Sequence, residues 1–386
     1  MKRSTDRILT THVGSLARPP DLLKMMEARA TGGPVDPTAY ASRVRGAVAD
    51  VVRMQCESGV DVPSDGEQSK VGFFQYVRER LSGFEPAPPG TAGRPSPWIS
   101  EFNAFPDYYQ SVAASRGVGP NSALICTGPV TYRGHAAVQT DIANFKAGLA
   151  GRETEDAFMP ASAPRGRDIG QDVYYSSYED YLGAVADALH EEYQAIVDAG
   201  FILQVDDPAL TYALGHSPQL SPSERRREAD LHVEAINRAL KGIPSENVRF
   251  HTCYGIDEGP RTTDVPLKEM IEFILKINAG AYSFEAANPR HEHEYHVWES
   301  VKLPDDKVII PGVIGHVSNI VEHPEWIAER IVRFARIVGR ERVIAGSDCG
   351  FSSQATPSPN VHPTVVWAKF RAMREGADLA TKLLWG

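Results

Sequence analysis

Val248-Arg249-Phe250-His251-Thr252-Cys253-Tyr254-Gly255 is the stretch whose reading decides the fold. A short β-branched and apolar run that ends on a histidine and then a cysteine reads as a strand with chemically active residues at its end. Side chains two positions apart on a strand point to the same face, so His251 and Cys253 can grip one ion. Two later runs end in the same way, at Glu285 in YSFEAAN and at Cys349 in AGSDCGF. Histidine, cysteine and glutamate are the ligand types zinc prefers, and the chain has only four cysteines in all.

Outward from this run, strand-like and helix-like segments alternate along the chain, the pattern of a parallel sheet with crossover helices. Eight strand-like runs are legible. The first four end at His12-Val13-Gly14-Ser15, Val62-Pro63-Ser64-Asp65-Gly66-Glu67, Ile125-Cys126-Thr127-Gly128-Pro129 and Leu203-Gln204-Val205-Asp206. The second four end at His251-Thr252-Cys253, Ser283-Phe284-Glu285, Ile310-Pro311-Gly312-Val313 and Ala345-Gly346-Ser347-Asp348-Cys349. Between Tyr178 and Gly200, the residues Tyr181, Val185, Leu189, Tyr193 and Ile196 recur at helical spacing, and Gly200 stands where a helix stops. Pro222 to Ile243, Pro266 to Asn278, Pro324 to Val338 and Pro363 to Leu384 read the same way. The predicted fold is α/β: one (β/α)8 TIM barrel spanning residues 1–386 as a single domain. Two long insertions, about 82–119 and 132–177, follow strands two and three and are expected to roof the pocket.

Acidic residues outnumber basic ones, 50 to 40, which leaves no basic footprint for nucleic acid or an anionic membrane. A small-molecule substrate is expected instead. The start, MKRSTDRILTTHVGS, lacks the apolar core of a secretory signal, and no apolar run nears the ~18 residues of a membrane span. The expected location is cytoplasmic, where disulfides are disfavoured and purposeful cysteines serve as ligands or nucleophiles. Cys56, inside a helical pattern, and Cys126, within an apolar strand, read as structural.

Barrel active sites lie at the C-terminal ends of the strands, where His251, Cys253, Glu285 and Cys349 all fall. Taken singly, each has a plain structural explanation, such as a buried small thiol or a satisfied core histidine. Their joint placement points to zinc. Two thiolates and a carboxylate donate enough charge to weaken the ion's acidity toward water while suiting a soft sulfur ligand. A thiol bound there ionises at neutral pH yet still attacks carbon, so alkyl transfer to sulfur is the favoured reaction. A metal-dependent barrel hydrolase is a weaker alternative: such enzymes commonly open with His-x-His, whereas this chain has His12 alone, and only Asp348 speaks for it.

These residues, together with THVGS (11–15), SDGE (64–67), TGPVT (127–131), QVDDPAL (204–210), HTCYG (251–255), EAANPR (285–290) and DCGF (348–351), resemble in their order the catalytic, carboxy-terminal barrel of the cobalamin-independent methionine synthase family. The resemblance implies a zinc-dependent S-methyltransferase of the 5-methyltetrahydropteroyltriglutamate–homocysteine type. It would transfer a methyl group to the zinc-bound thiolate of homocysteine to give methionine. His251, Cys253, Glu285 and Cys349 fall where the family places its metal ligands. Ser15 falls in the motif for the amino-acid end of homocysteine, and Glu67 and Asp206 match two acidic positions that hold its ammonium. Asp207, beside Asp206, reads as structural.

Full-length family members carry a second barrel that helps hold the folate donor. This sequence matches only the catalytic one, so the implied methyl donor is either methyltetrahydrofolate or a methylated corrinoid protein. In PGVIGHVSN (311–319), Gly315 stands where the family pattern leads one to expect an aspartate, and His316 falls one position before the family's proton-handling histidine. His316 is the candidate general acid. The same-site alternative is a zinc thiol alkyltransferase of the epoxyalkane:coenzyme M type, in which Arg18, Lys70 or Arg290 would meet a sulfonate. Glu67 and Asp206 would repel one. The run Arg290-His291-Glu292-His293-Glu294 is expected to line the substrate mouth or make salt links rather than to bind a second metal.

Overall fold

Runs of buried apolar residues with few polar interruptions are what strands covered on both faces require, and they build the main sheet here. The computed structural model describes residues 1–73, 75–88, 99–112, 123–215, 220–256 and 258–386. Its strands are β1 (Leu9–Thr10), β2 (Phe84–Pro86), β3 (Leu124–Cys126), β4 (Phe158–Ser162), β5 (Gln171–Asp172), β6 (Ile202–Asp206), β7 (Val248–His251), β8 (Ala281–Phe284), β9 (Val308–Ile314) and β10 (Ile344–Ser347). Seven of them form one parallel sheet in the order β1-β10-β9-β8-β7-β6-β4.

The sheet curls so that its two outer strands approach one segment. Val62 donates its amide to the Thr10 carbonyl at 3.1 Å, and Phe158 donates to the Pro63 carbonyl at 3.1 Å. The second run is thus an extended segment making one parallel bridge, Thr11 to Val62, rather than a strand of any length.

The third run is placed differently from the sequence expectation. Leu124–Cys126 pairs antiparallel with β2 and parallel with β5 in a separate three-stranded sheet. Its position in the main sheet is taken by β4, which lies inside the stretch 132–177 read as an insertion. Phe158-Met159-Pro160-Ala161-Ser162 holds no β-branched residue and carries a proline, so it sends no strand signal, yet every residue in it is buried. Residues 132–177 also contain the helix His135–Leu149, which packs on the helix Pro37–Glu57; Gly148 lets their backbones come close.

The predicted helices form, with small shifts at their ends. Tyr178–Asp198 buries Tyr181, Val185, Leu189, Tyr193 and Ile196. Pro222–Ala239 opens with a capping box in which Ser221 and Glu224 serve each other's backbone. Pro324–Val338 stops at Gly339, whose φ of 99° suits glycine alone.

Within the first predicted insertion, residues 89–98 and 113–119 lie outside the described residues. The helices Ile99–Ala104 and Pro106–Val112 dock on the loop that follows β7: Glu101 accepts the Thr262 amide at 2.7 Å, and the Tyr108 hydroxyl donates to the Glu258 carbonyl. Among the described residues, no helix is long and apolar enough to cross a membrane.

Candidate metal centre

β7 delivers His251 at its end, two further residues deliver Cys253, and the turn after β10 delivers Cys349. The ligand atoms of these three side chains lie within 4.8 Å of one another, and all three residues are buried. His251 Nδ1 lies 3.2 Å from Ser283 Oγ, while Nε2 is buried with no hydrogen-bond partner. A buried imidazole nitrogen is rarely left unpaired, and this one belongs to a residue whose other partners are two thiols.

The thiols share a proton unequally. Cys253 is pushed well below its ordinary value by the hydrogen bond from Cys349 and by His251 beside it, against the effect of burial. Cys349 is pushed up by the same hydrogen bond and by burial.

Glu285 is the predicted ligand the structure does not bring into this group. Its Oε1 accepts the Tyr254 amide at 2.8 Å and its Oε2 accepts the Asn288 side-chain amide at 2.7 Å. It gathers instead with His316 and Asp348, all buried and with ligand atoms within 4.8 Å of one another. Burial, with help from Asp348 and Cys253 and against Arg261, pushes Glu285 up to about 8. Tyr254 directly follows Cys253, so the carboxylate is held beside the thiol cluster.

Asp348 ties the two groups together. Its Oδ1 accepts the amides of Ala286 and Ala287 at 2.8 and 2.7 Å, locking the turn after Glu285 to the residue before Cys349. Gly312 makes room for it: a Cβ there would stand 2.0 Å from that oxygen.

His316 is buried. Its Nε2 donates to the Gly255 carbonyl at 3.2 Å and its Nδ1 has no partner. Burial, then the charge of Arg261, pulls it down to about 3, so the ring is neutral. The Gly315 amide before it is held by Glu322, which pairs with the buried Lys369 at 2.9 Å.

The predicted amino-acid-binding residues line the same end of the sheet. Glu67 is buried with φ of 55°, and its Oε2 has no hydrogen bond and sits 4.0 Å from Arg18. Asp206 accepts Gln204 Nε2 at 2.6 Å on Oδ1, and burial, with Glu67 adding to it, pushes it up to about 8. Ser15 Oγ lies 3.2 Å from Ser353 Oγ, and a Cβ on Gly350 would stand 2.0 Å from it, which places Ser15 beside the Cys349 turn.

Several neighbouring residues escaped the sequence reading. Arg261 adopts a positive φ of 57° and reaches the Gly255 carbonyl at 3.1 Å, Asp264 at 3.7 Å and Glu285 at 3.8 Å. Nothing in EGPRTTD marks this arginine: Asp264 three residues on is legible as a partner, but Glu285 comes from the loop after β8. Ser283, two residues before Glu285 and so on its face of β8, was legible by strand alternation.

Other expectations are met. Asp207 faces away and pairs with His232 at 2.8 Å. His291 makes salt links, to Glu294 at 2.8 Å and Asp264 at 3.0 Å, and stacks on Tyr254; burial pulls it down, but the two carboxylates outweigh that and leave it at about 9. Cys56 and Cys126 stand apart from the cluster and are free thiols.

A curled parallel α/β sheet with a histidine–dithiol cluster at its strand ends defines the class: an α/β scaffold that carries a candidate metal site. Residues 157–376 match the family described as "Cobalamin-independent synthase, Catalytic domain", which is more than half of the chain. The chain belongs to the cobalamin-independent methionine synthase family. It is similar to the methionine synthases of Sulfolobus acidocaldarius, 24% identical over 88% of this chain and 85% of the relative, and of Thermococcus kodakarensis, 24% identical over 88% and 86%. It is 23% identical to the 5-methyltetrahydropteroyltriglutamate–homocysteine methyltransferase of Aliivibrio fischeri, over 89% of this chain but 39% of that protein. In fold it is similar to a B12-independent methionine synthase from Shewanella sp. W3-18-1, with a TM-score of 0.70, 19% identity and coverage of 98% and 99%.

Proposed function

We propose that the chain is a zinc-dependent methyltransferase that methylates the sulfur of homocysteine to give methionine. The supporting observation is the convergence of His251, Cys253 and Cys349 around a buried, unpartnered imidazole nitrogen, with the carboxylates of Glu67 and Asp206 at the same strand ends. In this reading the whole chain is one (β/α)8 barrel. Residues 61–63 form the stave between β1 and β4, and the small sheet β2-β3-β5 stands outside the barrel.

The donor set fits a soft divalent ion: two sulfurs, an imidazole nitrogen and, from Glu285 beside Cys253, a carboxylate oxygen. Bound zinc would supply a Lewis acid that keeps a substrate thiol ionised at neutral pH. The chain's own residues do the rest. Glu67 and Asp206 are buried carboxylates, the Oε2 of Glu67 having no hydrogen bond, and an ammonium group would give both a charge-assisted partner. Ser15 offers its hydroxyl to the amino-acid end. In the transfer, the sulfur–carbon bond forms as the donor's methyl bond breaks.

The name of the Aliivibrio fischeri relative favours a methyltetrahydropteroyl-type donor, whose leaving nitrogen needs a proton. His316 is the candidate acid: its Nε2 proton rests on the Gly255 carbonyl, so Nδ1, which has no partner, would have to take up a proton from solvent before giving it to the leaving nitrogen. A methylcorrinoid donor would need none.

A coenzyme M substrate finds less support. Arg18 and Lys70 are buried on backbone carbonyls, and Arg290 is exposed on the Thr262 carbonyl. Methionine formation from homocysteine, assayed with methyltetrahydrofolate polyglutamate and with methylcobalamin in turn, tests the proposal. Product with the folate donor is expected, and no product from either donor in zinc-replete protein would refute it.

A further inference from the structure

Gln204 and Asp206 alternate along β6, so both face the interior of the curled sheet. Across the β6–β7 pair, Gln204 is in register with Arg249 and Asp206 with His251. Gln204 and Arg249 are buried. The guanidinium hydrogen bonds of Arg249 go to neutral acceptors: Nε to Gln204 Oε1 at 2.6 Å, Nη1 to Thr11 Oγ1 at 2.9 Å, and Nη2 to the His12 carbonyl. The Phe158 ring covers it at 3.5 Å. Burying an arginine on neutral partners is a costly way to fill space that an apolar side chain would fill at less expense.

The Gln204 amide shows what the arrangement achieves. With Arg249 donating to Oε1, the amide cannot flip, because a flip would set its NH2 against the guanidinium. Nε2 therefore faces Asp206 Oδ1 at 2.6 Å and also bonds the Val13 carbonyl. Arg249 and Gln204 together hold the carbonyls of His12 and Val13, in the segment that ends at Ser15.

We propose that Gln204 and Arg249 form a positioning unit for amino-acid recognition, an inference that rests on Asp206 being the ammonium partner. Arg249 sets the amide, and the amide pins one Asp206 oxygen with a neutral donor. Asp206 makes no direct ion pair with Arg249, so its second oxygen is left for the substrate's ammonium instead of being taken up within the protein. The same pair fixes the approach of Ser15.

The experiment compares two thiols on the zinc-loaded protein by calorimetry: homocysteine, and 4-mercaptobutanoate, which lacks the ammonium. In Gln204→Met and Arg249→Met, homocysteine is expected to bind about tenfold weaker or worse while 4-mercaptobutanoate stays within about twofold and zinc content is unchanged. If Arg249→Met does not fold, Gln204→Met, close to glutamine in volume, carries the test. Equal weakening of both thiols, or of neither, overturns the inference. Asp206→Asn in the same series separates the layers. Selective loss there but not in Gln204→Met sinks the positioning unit alone, and no selective loss in Asp206→Asn sinks the ammonium reading and the inference with it.

Discussion

His251 Nδ1 lies 3.2 Å from Ser283 Oγ across the β7–β8 pair, which leaves Nε2 as the buried ring nitrogen without a hydrogen bond. A partner on the far nitrogen fixes the tautomer and the aim of a metal-binding histidine. Ser283→Ala is expected to weaken zinc binding about 10-fold to 100-fold, read by chelator competition, with the fold intact. An unchanged affinity would show that Ser283 does not orient the ring.

Removing a ligand should do more than weaken binding. His251→Ala and Cys349→Ser are each expected to lose about one equivalent of zinc in elemental analysis without unfolding by circular dichroism. Retention of full zinc by either variant would remove that residue from the site.

Gly312 and Asp348 make a steric prediction. A Cβ at position 312 would meet Asp348 Oδ1 at 2.0 Å and its backbone nitrogen at 2.8 Å, neither of which can yield while Asp348 holds Ala286 and Ala287. Gly312→Ala should cost about 1–3 kcal/mol in urea unfolding, the usual effect of overpacking, and should lower zinc content by displacing the Cys349 turn.

His12 gives the pH dependence its sign. Its Nε2 donates to Gln55 Oε1 at 2.6 Å and its Nδ1 accepts the Gly14 amide at 3.2 Å, so the neutral ring is fully used. Burial above all pulls it down to about 3, against the Gln55 hydrogen bond, which raises it. The unfolded chain takes up this proton near pH 6.5, whereas the folded one resists it until about 3. Stability from this group is thus complete above pH 6.5 and is lost as pH falls toward 3, at about 1.4 kcal/mol per unit at most. Urea unfolding from pH 7 to 4 reads this as a difference: the excess stability of the wild type over His12→Gln should shrink by up to this slope, the other titrating groups being common to both. An excess that does not change with pH would assign the acid sensitivity elsewhere.

The sequence carried the strand ends well because barrel chemistry concentrates there: His251, Cys253, Cys349, Glu67 and Asp206 all stand at or just beyond a buried run. It carried β4 poorly, since Phe158–Ser162 is buried without β-branched residues, and Leu124–Cys126, a strand of the small sheet, was read in its place. Side-chain destinations were less legible still. Glu285 turns to the Tyr254 amide and Asn288, and Arg249 spans to Thr11 and His12 from more than two hundred residues away. Such contacts are set by closure of the sheet, which no local pattern encodes.

Zinc-edge X-ray absorption with and without homocysteine measures the central claim most directly. Two sulfur scatterers at about 2.3 Å are expected in the free protein, rising to three when homocysteine is added. A metal with no sulfur neighbours, or a sulfur count that homocysteine leaves unchanged, would contradict it.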